Sequence, residues 1–316
     1  MCATYAIVLR VRLAAVSVDL DELPNYFQIY GLPEPDGPVR TMVYDLAVAR
    51  LRSFAADAGI PLTLFAIGSD LTRPEAATAL MQASRAGHEI ANHSLDHMYD
   101  LTRLERGGIR TQIEGGLRAI LRAVGTAPVG FRAPGYTISD EVFSVLTELG
   151  VEYDSSVFPC PSYFALKSAA IAKIALSGRT SRSVIDDPRV LTAPTTPYRV
   201  GTPYWKRGTG MLELPIQVTR GLRLPFIGTA LTVAGPMAAA GLTQMCVGDP
   251  LVNLELHGID VLERSDGLTG LALHQRDLHV SLERKLETLH AVVAVLKRAN
   301  YTFVTLQEAA KALAKS

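Results

Sequence analysis

The chain is short of cysteine, of net charge and of long apolar runs, and each shortage removes a class of answer. Its three cysteines, Cys2, Cys160 and Cys246, are far apart and odd in number. That spacing suits neither a disulfide framework nor a cysteine-built zinc site, and it fits a reducing compartment. Lys plus Arg and Asp plus Glu each total 31 of 316 residues. With no net field to draw polyanions, and no motif for them, a nucleic-acid role has no support. The longest apolar stretch, Leu224–Leu242, is broken by Pro225, Pro236 and three glycines, which argues against a membrane span. Arg10 and Arg12 interrupt the apolar opening, and no basic region precedes it. The expectation is no export signal and a cytoplasmic location.

What is present is a greasy globular composition, 48% hydrophobic and 20% charged, on a chain long enough for a large core. Strand-like and helix-like stretches alternate, which points to a parallel sheet or barrel. Leu13–Asp19 (LAAVSVD) reads as a buried strand, as do Pro61–Ile67, Gly87–Ala91, Val129–Phe131, Val151–Asp154, Met211–Leu214, Leu251–Leu256 and Thr302–Thr305. Helices are expected over Thr41–Ala58, Pro74–Ala86, Leu104–Val124, Ser139–Leu149, Ser281–Ala299 and Leu306–Leu313. In the third of these, Gly107-Gly108 and Gly115-Gly116 read as weak points. From Pro159 to Gly210 the alternation fails, and an excursion that shapes a substrate pocket is expected. The economical organisation is one domain, 1–316, with a core over 13–305 and insertions over 159–210 and 220–246.

Four strand ends carry ionisable groups where a core strand should simply stop. In Val16-Ser-Val-Asp19-Leu-Asp21 an extended backbone turns both carboxylates to one side, so one can bind a cation while the other holds a proton. An aspartate after a strand also serves as a turn former. In Glu89-Ile-Ala-Asn-His93-Ser-Leu-Asp-His97 a helical turn would set both histidines on one face, within reach of one ion. Asp21 would complete a facial set of two histidines and one carboxylate, with positions left open for water and substrate. Gly130-Phe-Arg132-Ala-Pro134-Gly135-Tyr136 brings an arginine among carboxylates, either to orient one or as a structural ion pair. The Pro-Gly turn after it offers backbone N–H groups to an oxyanion. Asn253-Leu-Glu-Leu-His257 ends an apolar strand on a histidine, which is either catalytic or a satisfied core residue. His88, His274, His279 and His290 have no matching partners, while Trp205 with Tyr198 and Tyr204 either stacks on a sugar or packs within the excursion.

Taken in order, these groups resemble the polysaccharide deacetylase family (NodB homology, carbohydrate esterase family 4). The shared order is Asp-x-Asp after the first strand, His-Ser-x-x-His, Arg-x-Pro, an Asp-bearing strand and Leu-x-His. Leu64-Phe-Ala-Ile-Gly68 is similar to the family's second-strand signature, and the resemblance runs from Leu13 to Thr305. It implies an α/β fold, a distorted (β/α)7 barrel with a long insertion. It also implies a divalent metal, usually zinc, held by Asp21, His93 and His97. Asp19 would be the general base, Arg132 would orient it, and His257 would be the general acid that protonates the leaving amine. Asp154 is implied either to tune His257 or to pair with Arg132. Gly135 and Tyr136 stand where an oxyanion-binding turn is expected, with glycine in the family's usual tyrosine position. The family's usual tryptophan after the Asp-bearing strand is missing, with Phe158 nearby. Leu20 between the two aspartates resembles one branch of the family. That branch includes the helicobacter-type peptidoglycan deacetylase, the cyclic imide and allantoin hydrolases, and the lipid-linked aminoarabinose deformylases.

The expected activity is metal-dependent removal of an N-acetyl or N-formyl group from an amino sugar or glycan. A cytoplasmic location favours a nucleotide-linked or lipid-linked substrate over mature wall polymer. Tyr163–Leu176, with Lys167 and Lys173, and Arg220–Leu242, with Arg223, serve either as lids or as contacts with the inner face of a membrane. One rival is a hydrolase of cyclic imides or ureides on the same fold. The other is a catalytically inactive carbohydrate-binding domain, in which Asp19 or His257 would point into packed core.

Overall fold

LAAVSVD combines small and β-branched residues, and it forms β1 (Leu13–Asp19), buried along its whole length. The computed structural model describes residues 12–314 except 177 and 179, so the opening segment with Cys2 lies outside the described residues. After β1 come α1 (Leu23–Ile29), α2 (Val48–Ala58), β2 (Thr63–Ala66), α3 (Pro74–Arg85), β3 (Glu89–Asn92), α4 (Arg106–Val124), β4 (Gly130–Phe131), α5 (Asp140–Glu148) and β5 (Tyr153–Asp154). The second half adds α6 (Pro161–Leu176), β6 (Tyr198–Val200), β7 (Arg207–Glu213), α7 (Gly228–Ala234), α8 (Pro236–Cys246), β8 (Leu251–His257), α9 (Thr269–Ala272), α10 (Leu282–Arg298), β9 (Thr302–Phe303) and α11 (Leu306–Leu313).

The strands form one sheet in the order β6-β7-β5-β4-β3-β2-β1-β8, with β9 beside β1. Among the described strands only the β6–β7 pair is antiparallel. The sheet curls, and the segment after β7 reaches toward β8: Gln217 N–H donates to the Asn253 carbonyl at 3.1 Å, and Ile227 bridges to Glu255. The result is the distorted α/β barrel expected from the sequence. On the outer face, Val16, Val18, Leu254 and Leu256 pack against Leu51 and Phe54 of α2 and Leu289 and Val292 of α10. The inner face is apolar at its floor, where Leu13, Ala15, Phe65 and Tyr153 meet Leu306 and Ala309 of α11. Above that floor it becomes polar, with Ser17, Asp19, Asn253 and Glu255 all buried. Two-residue alternation puts these groups at the carboxyl ends of β1 and β8, on one side.

Helix ends follow their capping residues. Ser139 Oγ accepts from Val142 N–H and Ser281 Oγ from Arg284 N–H, at the positions where the sequence starts those helices. Three expectations change. The histidine pair lies on a tight loop rather than a helix: Ser94 and His97 take left-handed φ values of 70° and 51°, and Ser94 Oγ accepts the His97 N–H at 3.1 Å. The irregular excursion from 159 contains a 16-residue helix, α6, and a β-hairpin, β6–β7. Finally, the glycines of α4 differ in role. A Cβ on Gly116 would overlap Asn92 Oδ1 and the Ser94 backbone, and one on Gly115 would run into Leu95. The missing side chains let α4 press directly on the histidine loop. There Gln112 O accepts Leu95 N–H at 2.8 Å and Ile113 O accepts Asn92 Nδ2 at 3.0 Å.

A pair of substitutions separates the two roles. Gly116→Ala should cost about 1–3 kcal/mol through overpacking. Gly107→Ala, whose Cβ would meet nothing within 4 Å, should be neutral or stabilise by a few tenths to about 1 kcal/mol. Urea unfolding of both variants checks this.

Candidate active site

The side chains at the carboxyl ends of β1, β3, β4 and β8 converge. Asp21 faces His93 Nε2 at 3.3 Å and His97 Nε2 at 3.1 Å, and all three residues are buried. His93 Nδ1 lies 2.7 Å from the Arg132 carbonyl, which can only accept, so the ring proton sits on Nδ1 and Nε2 carries a lone pair. Asp21 Oδ1, His93 Nε2 and both His97 nitrogens are buried without a hydrogen-bond partner. Lone pairs from three residues therefore point at one another, an arrangement that positive charge among them, a metal ion or a proton, would satisfy. The pKa shifts report the same surplus of negative charge. Burial opposes charge on His93, yet Asp19 and Asp21 push its pKa up, while Asp21 is held well below the usual carboxylate range despite burial because His97 and His93 face it. These donors fit a divalent ion.

Beside them lies a second group of ionisable residues. Asp19 Oδ1 accepts from Arg132 Nη1 at 2.7 Å, and its Oδ2 stands 3.7 Å from His93 Nε2. Arg132 is fully buried. Its Nε donates to the Ser155 carbonyl, its Nη2 to Ser17 Oγ and Ser155 Oγ, and the group stacks 4.2 Å over the Phe65 ring. His257 Nδ1 lies 2.9 Å from Glu255 Oε1 and its Nε2 3.4 Å from the Tyr136 hydroxyl. Burial opposes protonation of His257, but Glu255, then Asp21 and Asp19, raise its pKa well above the usual value. Asp19, Glu255 and His257 also come within metal-ligand spacing of one another. Here the Arg132 guanidinium already supplies the positive charge, so an acid and a base are the better reading than a second ion. A cleft of about 670 Å³ opens from His97, walled by Asn25 and Gln28 of α1 and by Asp96, Tyr99 and Arg103.

Two residues take other places than expected. Asp154 is bonded neither to His257 nor to Arg132. It accepts from Ser156 N–H and Oγ, both at 2.9 Å, and stands in register beside Glu213, whose pKa burial and the Asp154 carboxylate push far up. Tyr136 cannot offer its backbone N–H to an oxyanion, because that group donates to the Ala133 carbonyl at 3.0 Å. What it brings to the site is its hydroxyl. Glu255, Ser17, Ser155 and Asn253 form the supporting shell that motif reading passes over. The signal for two of them was in the sequence: Asn253, Glu255 and His257 alternate with leucine and valine along a strand otherwise fit for a core. Trp205 packs under Arg189 at 4.5 Å and beside Tyr204 at 5.0 Å, as ordinary insert packing.

Known proteins resemble this chain over part of its sequence and over its fold. The sequence model of the polysaccharide deacetylase family matches residues 36–153. That stretch contains His93, His97 and Arg132 but neither Asp19 and Asp21 nor His257. A peptidoglycan-N-acetylglucosamine deacetylase of Bacillus cereus is 32% identical over 134 residues, 42% of this chain and 57% of the relative. The chain thus spans a little over half the length of that curated relative. Among solved structures, a candidate polysaccharide deacetylase from Mycobacterium smegmatis aligns over 92% of this chain and 93% of its own, with TM-score 0.51 and 18% identity. That likeness shows a shared fold. The chain is thus similar in sequence to polysaccharide deacetylases over residues 36–153, and it shares the fold of the solved structure over nearly its whole length.

Glu255→Gln should lower the His257 pKa, because the largest influence raising it is removed. An NMR titration of the His257 ring protons reads this directly, with the protonated form lost at lower pH in the variant.

Proposed function

We propose that the chain is a metal-dependent N-deacylase of amino sugars, in the manner of the polysaccharide deacetylases. The observation that carries this reading is the convergence of unpartnered Asp21, His93 and His97 atoms beside an Arg132-held Asp19 and a Glu255-held His257. Asp21, His93 and His97 would hold the divalent ion, zinc being one that this donor set suits. When bound there it would lower the pKa of a water and polarise an amide carbonyl. Asp19 keeps one oxygen on Arg132, which leaves the other to take the proton of the attacking water. As the C–N bond breaks, His257 Nε2 gives its proton to the amine nitrogen, while Glu255 stabilises the imidazolium from the other side. Asp19 and His257 both line the site rather than packed core, which favours a working enzyme over an inactive binding domain.

The curated relative's name points to N-acetylglucosamine units of peptidoglycan as the substrate class, with acetyl as the first acyl group to test and formyl as the second. The Asp-x-Asp spacing and two exposed apolar elements support a lipid-linked carrier at the inner face of a membrane. On α6, Leu166 is 69% and Leu176 90% exposed, and Met237 on α8 is 87% exposed. No acidic residue occurs from 155 to 185 of the sequence, and Lys173 and Arg182 in this stretch are exposed. An apolar, cationic surface of that kind suits anionic lipid. Among the described residues no helix is long and apolar enough to cross a membrane.

The decisive assay measures bound metal and amine release on N-acetyl and N-formyl amino sugars, free and lipid-linked, with cyclic imides as the rival class. Asp19→Asn should retain metal and lose about 10²–10⁴-fold in kcat, and His97→Ala should lose the metal. A wild type without metal or turnover would sink the reading, and a preference for cyclic imides would move it to the rival. Separately, Leu166→Glu combined with Leu176→Glu should reduce co-sedimentation with phosphatidylserine vesicles while leaving turnover of a free sugar intact. Equal sedimentation of wild type and variant would remove the membrane surface from the proposal.

A further inference from the structure

The turn after Arg132 is held in an unfavourable backbone conformation. Gly135 and Tyr136 both have φ near 60°, which glycine adopts freely and tyrosine does not. A left-handed tyrosine costs on the order of 1–3 kcal/mol and persists only where its surroundings over-determine it. Phe158, Ile216 and Val218 pack the tyrosine from the barrel side, and α6 supplies the rest. Lys167 Nζ, on α6, donates to the Gly135 carbonyl at 2.9 Å. One helical turn earlier, Tyr163 packs its ring 5.9 Å from that of Tyr136 and 4.8 Å from Phe158. Residues four apart share a helix face, so α6 grips the peptide and the ring of the same turn with one face. The far side of that turn is the Tyr136 hydroxyl, 3.4 Å from His257 Nε2. Burial draws the Lys167 ammonium down to about 8, against the nearby Asp186, so it remains mostly charged at neutral pH.

We propose that Lys167 is a positioning residue: by holding the Gly135 carbonyl it fixes the left-handed turn that sets the Tyr136 hydroxyl against His257. The acid is thereby tied to an inserted helix that contributes none of the reacting groups. Most of α6 is at least partly exposed, Ile174 being its buried residue, so its seating on the barrel and the setting of the turn are one equilibrium. This rests on the proposed deacylase reading for its kinetic consequence, but its structural content stands apart from that reading.

The test compares Lys167→Met and Lys167→Arg with wild type in the full, metal-loaded chain. In Lys167→Met the Tyr136 amide should exchange with deuterium at least about tenfold faster, because its closed turn is no longer held. On the best substrate kcat should fall by about 10–100-fold with KM within about twofold, as misplacement of a catalytic neighbour predicts. Lys167→Arg keeps the charge and the donor, so it should restore both readouts to within about threefold. Metal content and thermal midpoint report whether each variant is folded. Unchanged exchange in Lys167→Met would overturn the proposal, as would a rise in KM at constant kcat, which would make Lys167 a substrate contact. Exchange decides the matter even if no substrate turns over, so failure of the deacylase reading is read separately from failure of this one.

Discussion

Arg132 places a full guanidinium charge where no solvent reaches it. Removing such a charge from water costs several kcal/mol, and the cost is offset only when its donors are matched. Asp19, Ser17 and Ser155 match them, and the Phe65 ring covers its face. Three strands are joined through this one side chain. Asn253 extends the network to a fourth, donating to Ser155 Oγ and accepting from Ser17 Oγ. The main chain of the same residue fixes the His93 tautomer. One arginine thus orients Asp19 with its side chain and His93 with its carbonyl. Charge, tautomer and register are set together, so a change at Arg132 would disturb all three.

The position of negative charge is where this chain departs from the pattern that its motifs suggest. Asp154, expected either to tune His257 or to pair with Arg132, instead accepts from Ser156 and stands in register beside Glu213. Its place beside the imidazole is taken by Glu255, two residues earlier on the histidine's own strand. His257 and Glu255 then sit on one rigid element and need no loop to bring them together. The same economy governs the histidine loop, whose shape is set by the bare backbone of α4 at Gly115 and Gly116.

Much of this was legible in the sequence because the groups that do chemistry interrupt patterns that packing would otherwise complete. Asp19 and His257 end apolar strands, and the helices at 74–85, 140–148, 282–298 and 306–313 begin where Pro or capping serines and threonine say they should. Side-chain partners across the sheet were not legible, since they depend on which strands become neighbours. Asp154 could not be assigned without knowing that β7 carries Glu213 in register beside it. The histidine loop was mistaken for a helix because spacing alone cannot distinguish a helical turn from a tight loop with left-handed residues. α6 escaped notice as a helix because its apolar residues surround it rather than forming one stripe, the usual sign of a helix against a core.

β1 and β8 pair in parallel with Asp19 opposite His257, residues that lie 238 positions apart in the chain. During synthesis the amino-terminal parts of a protein emerge and begin to order first. The barrel's early strands therefore exist for a time with Asp19, Asp21, His93 and His97 present and neither His257 nor Glu255 beside them. A nascent or truncated chain stopping before β8 would leave the polar inner face without the wall that encloses it.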